Sequence, residues 1–291
     1  MDRAHLLQEP MSVRAVGDLR QWIDAQPLTL SDAGMEALEP RKRDEAMFHD
    51  HDRLGGRDLA PTSTPNRRFY DANIIVHQCI EAWIERHTPG AAFLDYACGN
   101  GLWTLAAARA RAELAVGIDL SAVSIEGARQ RAEAGGFAER TRFLQRDCED
   151  TGFPDASFDA CLCSGMLHHL DLARAFPELH RIMRTGGRIL CSEALGYNPV
   201  IQLYRRLTPE LRTAWEARHI LTLKQVRMAG RWFRVENLRF HLMAAPLATL
   251  LPGGAIRRAG LAVGHAIDSV VTQIPGLRLW SWQFTFELVK P

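Results

Sequence analysis

Ala91-Ala-Phe-Leu-Asp-Tyr-Ala-Cys-Gly-Asn-Gly-Leu-Trp-Thr-Leu-Ala-Ala-Ala108 holds an apolar run, an acid, a turn of small residues and then helix-forming sequence. That order predicts a strand, a tight loop and a helix. Asp95 falls at the end of the strand. Gly99 and Gly101 let the loop backbone take conformations that a Cβ would block, so a ligand can lie against bare amides. A nucleotide-like ligand is the first candidate.

Downstream, strand-like and helix-like patterns alternate with short connections, which is the mark of a parallel sheet with helices on both faces. Strands are predicted at Ala91–Leu94, Leu114–Ile118, Thr141–Gln145, Phe158–Cys163 and Gly187–Ser192. Helices are predicted at Leu102–Ala112, Ser121–Ala134 and Leu172–Arg184. In such a sheet ligands bind beyond the carboxyl ends of the strands. The residues just after each strand, Asp95–Gly101, Asp119–Ser121, Asp147–Glu149, Ser164–His169 and Glu193–Tyr197, are therefore expected in one cleft.

The ends of the chain are less regular. Residues 1–60 are polar, carry Pro10, Pro27 and Pro40 and contain the charge run Arg41-Lys-Arg-Asp-Glu45, and they read as a loosely packed helical extension. Pro61-Thr-Ser-Thr-Pro65 marks a loop, after which Ile74, Ile75, Cys79, Ile80, Trp83 and Ile84 fall at helical spacing. In the last hundred residues Asn198–Gly230 and Ala244–Pro275 read as helical. Phe233–Met243 and Leu279–Val289 alternate like strands, with Trp280, Trp282, Phe284 and Phe286 on one face of the second.

The chain has 291 residues, 47% of them hydrophobic, enough for a full core. With 35 basic against 34 acidic residues, no overall field draws it to nucleic acid or an anionic membrane. A small-molecule substrate or a protein is favoured as the partner. No basic segment followed by an apolar core opens the chain, so a cytoplasmic location is expected. Leu242–Ile256 is broken by Pro246, Pro252, Gly253 and Gly254, so no membrane span is expected. The six cysteines lack a Cys-x-x-Cys pair and sit mostly in apolar runs, which reads as buried thiols rather than disulfides or zinc ligands. No metal site is expected.

Asp119 lies 24 positions after Asp95, where an acid ending the second strand can accept hydrogen bonds from both hydroxyls of a ribose. A dinucleotide loop would continue Gly-x-Gly-x-x-Gly, but Gly99-Asn-Gly101 runs on into Leu102-Trp-Thr104. Nothing basic in the loop awaits a phosphate, and Asp95 suits a ligand carrying positive charge. At this point the sequence resembles the class I S-adenosylmethionine-dependent methyltransferases of small molecules. The resemblance rests on Leu94-Asp-Tyr-Ala-Cys-Gly-Asn-Gly101, Gly117-Ile-Asp-Leu-Ser121, Arg146-Asp-Cys-Glu149 with Phe153-Pro-Asp-Ala-Ser-Phe-Asp159, Ser164-Gly-Met-Leu-His-His169, and Leu179-His-Arg-Ile-Met-Arg-Thr-Gly-Gly-Arg188.

The resemblance implies an α/β fold, a doubly wound, mostly parallel sheet of seven strands with a Rossmann-like order. A helical extension or lid at 1–88 precedes a methyltransferase domain at 89–291, with substrate-cap insertions at about 196–230 and 244–278 before the last two strands. The implied cofactor is S-adenosyl-L-methionine. Asp95, Ala97, Gly99 and Gly101 would lie along its methionine and sulfonium, Asp119 on the ribose, Leu120 against the adenine, Asp147 with Cys148 at the adenine amino group, and Ser164 with Gly165 near the sulfonium. Ala97 replaces the family's usual first loop glycine, and a negative φ is expected there.

His169 is the first candidate for a catalytic base, because an imidazole titrates near neutrality. Packing or capping of the next helix is the alternative for His168 and His169. Tyr70 could close over the cofactor or contact substrate. Glu193 could orient an amine or hydroxyl, or pair with an arginine. Tyr204 and Arg205, with Arg206, could hold a substrate carboxylate; a salt-bridged helix face is the competing role. His49 and Asp50 rank last. Oxygen is the preferred acceptor, followed by nitrogen, a carboxylate or a lipid-like molecule. A catalytically silent scaffold is the alternative from another class. Leu242–Leu251 fits a hydrophobic acceptor, a homodimer contact or an ordinary buried helix.

Overall fold

The computed structural model describes residues 15–54, 71–209 and 213–291. Seven strands, β1 (Ala92–Tyr96), β2 (Leu114–Asp119), β3 (Thr141–Gln145), β4 (Phe158–Ser164), β5 (Met183–Ala194), β6 (Arg234–His241) and β7 (Gln283–Val289), form one sheet in the order β3-β2-β1-β4-β5-β7-β6. The first five are parallel and β7 runs antiparallel to both its neighbours. β1 is buried along its whole length. A parallel sheet covered on both faces has no solvent side, which is why these strands read as apolar runs without alternation.

Helices α1 (Val16–Asp24), α2 (Asp32–Ala37) and α3 (Pro40–Leu54) precede the sheet, and α4 (Ile74–His87) leads into β1. The extension is less loose than its polar composition predicts: Leu19 and Ile23 of α1 are fully buried in the same apolar cluster as Phe158 and Ile189 of the sheet. α5 (Leu102–Arg109), α6 (Ala122–Ala134) and α7 (Leu172–Ile182) complete the layers. On the opposite face Val76, Ile80, Trp83 and Ile84 of α4 pack against Phe93 and Leu162. α7 ends two residues earlier than its pattern predicts because β5 already begins at Met183, its register against β4 shifting between Phe158 and Ala160.

Neither insertion is one continuous helix. In the first, α8 (Pro199–Leu207) is capped by Asn198, whose side chain accepts from the amides of Val200 and Ile201. α9 (Leu223–Ala229) starts at a capping box of Thr222 and Gln225, and Leu195 bridges to Leu221. In the second, Pro252-Gly253-Gly254 breaks the pattern into α10 (Ala245–Ala248) and α11 (Ala255–Val271). The two lie close: a Cβ on Gly264 would stand 2.6 Å from Ala245 Cα. Buried Asp268 accepts from the amides of Met243, Ala244 and Ala245 at 3.1, 2.6 and 3.1 Å. Trp280 lies in a 3-10 turn, Leu277–Trp280, and not on the final strand, which starts at Gln283.

Candidate active site

A cavity of about 320 Å³ opens at the carboxyl edge of β1, β2 and β4, lined by Asp95, Asp119, Asp147 and Ser164 from the strand ends and by α3 from the extension. Asp95 lies at its floor, 2% exposed. Thr104, in the first turn of α5, donates to Asp95 Oδ2 through its backbone N at 2.9 Å and its Oγ1 at 2.8 Å. The acid thus caps the helix from the preceding strand. Burial pushes its carboxyl up to about 7; the two Thr104 hydrogen bonds pull the other way, and the Asp119 charge adds to the rise.

Ala97 has φ +59°, so the negative φ expected from its side chain is not what the loop adopts. The backbone on either side explains this. Cys98 N donates to Ile118 O at 2.7 Å, Gly101 N to Cys98 O at 2.9 Å, and Gly99 N to Asp119 Oδ2 at 2.8 Å. These bonds fix the turn, and Ala97 takes the left-handed conformation at a cost of roughly 1–2 kcal/mol. Gly101, at φ +78°, has a second reason to lack a side chain: a Cβ there would stand 2.9 Å from both Ala128 Cβ and Phe143 Cε1.

Asp119 is held by both oxygens, accepting from Gly99 N and, through Oδ1, from Ser121 N at 2.8 Å. Leu120 and Cys148 line the same cavity, as does Gly165, at φ +66°. Asp147 is engaged from above: Lys42 Nζ lies 2.6 Å from its Oδ2, while Oδ1 accepts from Glu149 N at 2.9 Å. Lys42 also reaches Glu149 Oε2 at 2.9 Å, and Arg41 Nη2 donates to both Glu149 oxygens at 2.7 and 2.6 Å. Burial opposes the ammonium of Lys42, but its two carboxylate partners outweigh this and hold its pKa above the ordinary value.

Lys42, Glu45, Ala46 and His49 fall at i, i+3, i+4 and i+7 on α3 and all line the cavity. Glu45 is buried and accepts from His169 Nδ1 at 3.0 Å and from Thr213 Oγ1. Burial acts against both charges of the His169–Glu45 pair, yet their hydrogen bond wins in each: Glu45 titrates below the usual carboxylate range and His169 above the usual imidazole range. Arg41 stacks on Trp215 at 4.4 Å, so α3 touches both the strand ends and the first insertion. The signal for α3 was the i, i+3, i+4, i+7 face within a charge run, which composition alone reads as solvated.

Glu193 does not line the cavity. Its Oε1 accepts from the amides of Met166 and Leu167 at 2.8 and 2.7 Å, and its Oε2 lies 2.7 Å from His168 Nδ1. It thereby anchors the turn Leu167–His169 that carries His169 into the cavity. Tyr204 and Arg205 also stand outside the lining; Arg205 bonds Glu216 at 3.2 Å, and Glu216 lies 3.8 Å from His168 Nε2. Asp50 accepts from Ser121 Oγ, tying α3 to the start of α6. Tyr70 lies outside the described residues. All six cysteines are free thiols, five of them buried.

A sheet of this order, with an acid after β1, a second acid after β2 and glycine turns facing a cavity at the carboxyl edge, defines a Rossmann-like protein built for an adenosyl ligand. Residues 94–191 match the family described as a methyltransferase domain. Over that segment, about a third of the chain, the sequence is similar to S-adenosylmethionine-dependent methyltransferase domains. It is 32% identical over 111 residues to a ubiquinone/menaquinone biosynthesis C-methyltransferase of Geotalea daltonii, which covers 37% of this chain and 47% of that protein. It is 33% identical over 160 residues to a malonyl-[acyl-carrier protein] O-methyltransferase of Serratia marcescens, which covers 51% of this chain and 55% of that one. The chain thus spans about half the length of these relatives. Among solved structures, geranyl diphosphate C-methyltransferase from Streptomyces coelicolor A3(2) aligns with TM-score 0.61 over 87% of this chain and 99% of that one, at 15% identity, a likeness of fold.

Proposed function

We propose that the protein transfers a methyl group from S-adenosylmethionine to an oxygen of a small-molecule acceptor, with His169 as the base. The residues present fit the cofactor. A buried carboxyl held near neutrality at the cavity floor suits a cation, and the left-handed turns at Ala97, Gly99 and Gly101 leave the loop backbone bare. Asp95, Ala97, Gly99 and Gly101 would hold the methionine part, Asp119 the ribose with Leu120 beside the adenine, Asp147 and Cys148 the adenine edge, and Ser164 and Gly165 the sulfonium end. When bound, the cofactor supplies an electrophilic methyl carbon that a nucleophile displaces in line from sulfur.

The observation that carries the oxygen assignment is the His169–Glu45 pair in the same cavity. With Nδ1–H donating to Glu45, Nε2 is the proton-accepting atom, and the carboxylate stabilises the imidazolium that forms. Glu193 holds the turn that presents the ring, and α3 lines the cavity with Lys42, Glu45, Ala46 and His49. Positioning of acceptor against methyl donor supplies much of the remaining rate, roughly 7–11 kcal/mol for well-oriented reactants. Because His169 titrates above its ordinary value, turnover at saturating substrates should rise with pH through that raised pKa.

A second reading, methylation at an activated carbon, draws support from the relatives named as C-methyltransferases. The carboxylate reading loses ground, since Arg205 is taken up by Glu216 and Arg206 does not line the cavity. The test is a screen of phenols, enols and amines with labelled cofactor, product analysis fixing the methylated atom. His169→Ala should cut turnover by roughly 10²-fold or more while leaving S-adenosylhomocysteine binding within a few-fold. Turnover near that of the parent protein would return His169 to a packing role.

A further inference from the structure

Fourteen of the twenty large apolar side chains exposed among the described residues fall in two stretches, 197–207 and 247–280. On α11 they recur as Val263, Ile267, Val270 and, just beyond the helix, Ile274, at i, i+4, i+7 and i+11. This is one continuous stripe facing solvent, while the inner face is spent on Gly264 and Asp268. α8 repeats the arrangement: it buries no residue and exposes Val200, Leu203 and Leu207 at i, i+3 and i+7. Asn198 at the start of α8 donates to Trp280 O, joining the two faces at an indole that is itself 54% exposed. Single exposed apolar residues need no explanation, but two amphipathic helices that both turn their apolar faces outward do.

Topology places these faces on the side of the cavity. Ala194 at the carboxyl end of β5 pairs with Gln283 at the start of β7, which pairs with His241 at the end of β6. The segments 195–222 and 242–282 therefore both leave from the carboxyl edge of the sheet. α8 also borders the site chemically, since its Arg205 holds Glu216 beside His168.

Charge identifies what covers the face. Between 197 and 207 there is no acid, and between 242 and 282 the one acid is Asp268, buried and committed to three amides. The same two stretches carry five arginines, Arg205, Arg206, Arg257, Arg258 and Arg278. Glu216 and Asp71 answer Arg205 and Arg257, at 3.2 and 3.7 Å. A second copy would bring the same arginines and no acid to meet them, whereas an anionic lipid surface meets them with phosphate. No helix among the described residues is long and apolar enough to cross a membrane, so the helices would lie in the interface.

We propose that the outward faces of α8 and α11, with Trp280, dock on an anionic bilayer surface. On the reading of the cavity given above, the methyl acceptor is then a lipid-soluble molecule taken from that bilayer. The test is co-sedimentation of the full chain with vesicles of phosphatidylcholine alone and with one quarter phosphatidylglycerol, alongside calorimetry with S-adenosylhomocysteine. The protein should sediment with the anionic vesicles and at least about tenfold less with neutral ones or in about 0.5 M salt, as several arginines at a charged surface require. Val263→Glu with Ile267→Glu, both at exposed positions, should lower vesicle binding at least tenfold while leaving calorimetric affinity unchanged. Absence of sedimentation with either vesicle, or a double variant that binds as the parent does, overturns the proposal. So does a dimer in solution that the double variant dissociates without any vesicle binding, which would give the face to a second copy. Vesicle binding without S-adenosylhomocysteine binding would keep the docking face and overturn only the acceptor reading.

Discussion

Asp95 makes cofactor affinity depend on pH in a way that can be computed before it is measured. Its carboxyl titrates at about 7 in the free protein, chiefly because burial penalises the charge. A cation bound beside it favours the carboxylate, so binding below pH 7 must expel a proton from Asp95. Each pH unit below 7 then weakens binding about tenfold, and at pH 5, where about 1% of the group is ionised, affinity should be roughly 10²-fold below its plateau, about 2.7 kcal/mol. The same group acts on the free fold with the opposite appetite for protons. Its pKa is higher folded than unfolded, so its stabilising effect relative to the ionised form is complete below about pH 4 and is lost as pH rises through 7. The loss is on the order of 4 kcal/mol.

Calorimetry with S-adenosylhomocysteine, whose ammonium supplies the charge, measures this between pH 5 and 8. Repeated in buffers of different ionisation enthalpy, it should count close to one proton released at pH 5.5 and none by pH 8. Asp95→Asn keeps an acceptor for Thr104 and should remove the slope. An affinity that varies less than threefold over this range, or a slope that survives in Asp95→Asn, would refute the reasoning.

Three further substitutions probe the frame around that carboxyl. Gly101→Ala combines a left-handed backbone with a Cβ at 2.9 Å from Ala128 and Phe143, so urea denaturation should show a loss of roughly 2–4 kcal/mol. Ala97→Gly should do the reverse, relieving φ +59° at the expense of added freedom in the unfolded chain, for a net gain of up to about 1 kcal/mol. Lys42→Met leaves Asp147 and Glu149 short of a buried partner; a local loss of about 3 kcal/mol predicts roughly 10²-fold faster hydrogen exchange of the α3 amides, while unchanged exchange would mean that α3 is held by other contacts.

The sheet was legible because its evidence is local. Most of the five parallel strands are short apolar runs, and each is followed within two residues by an acid or a serine at the turn. Ala97 departs from the negative φ its residue type favours because the loop is fixed from outside, by Ile118 O and the Asp119 carboxylate. The second insertion reads as helical because apolar spacing continues on both sides of Pro252-Gly253-Gly254; the close approach of Gly264 to Ala245 shows the two helices folded against each other. Trp280 was assigned to the last strand by alternation, which carries no information about where a strand begins.

The substrate side of the cavity was illegible for a different reason. His169, Glu45 and Thr213 are brought together from the turn after β4, from α3 and from the first insertion, across sequence separations that no periodicity spans. None of the three signals alone: a histidine in a turn, a glutamate in a charge run and a threonine in an irregular segment all have commoner structural roles. Their meeting has an energetic consequence. Glu45 is buried and its partners come from both other segments, so displacing the turn of His169 removes its charged partner and displacing Thr213 removes a hydrogen bond to a buried carboxylate. Placement of the insertion around Thr213 and placement of α3 are thereby coupled through one carboxylate.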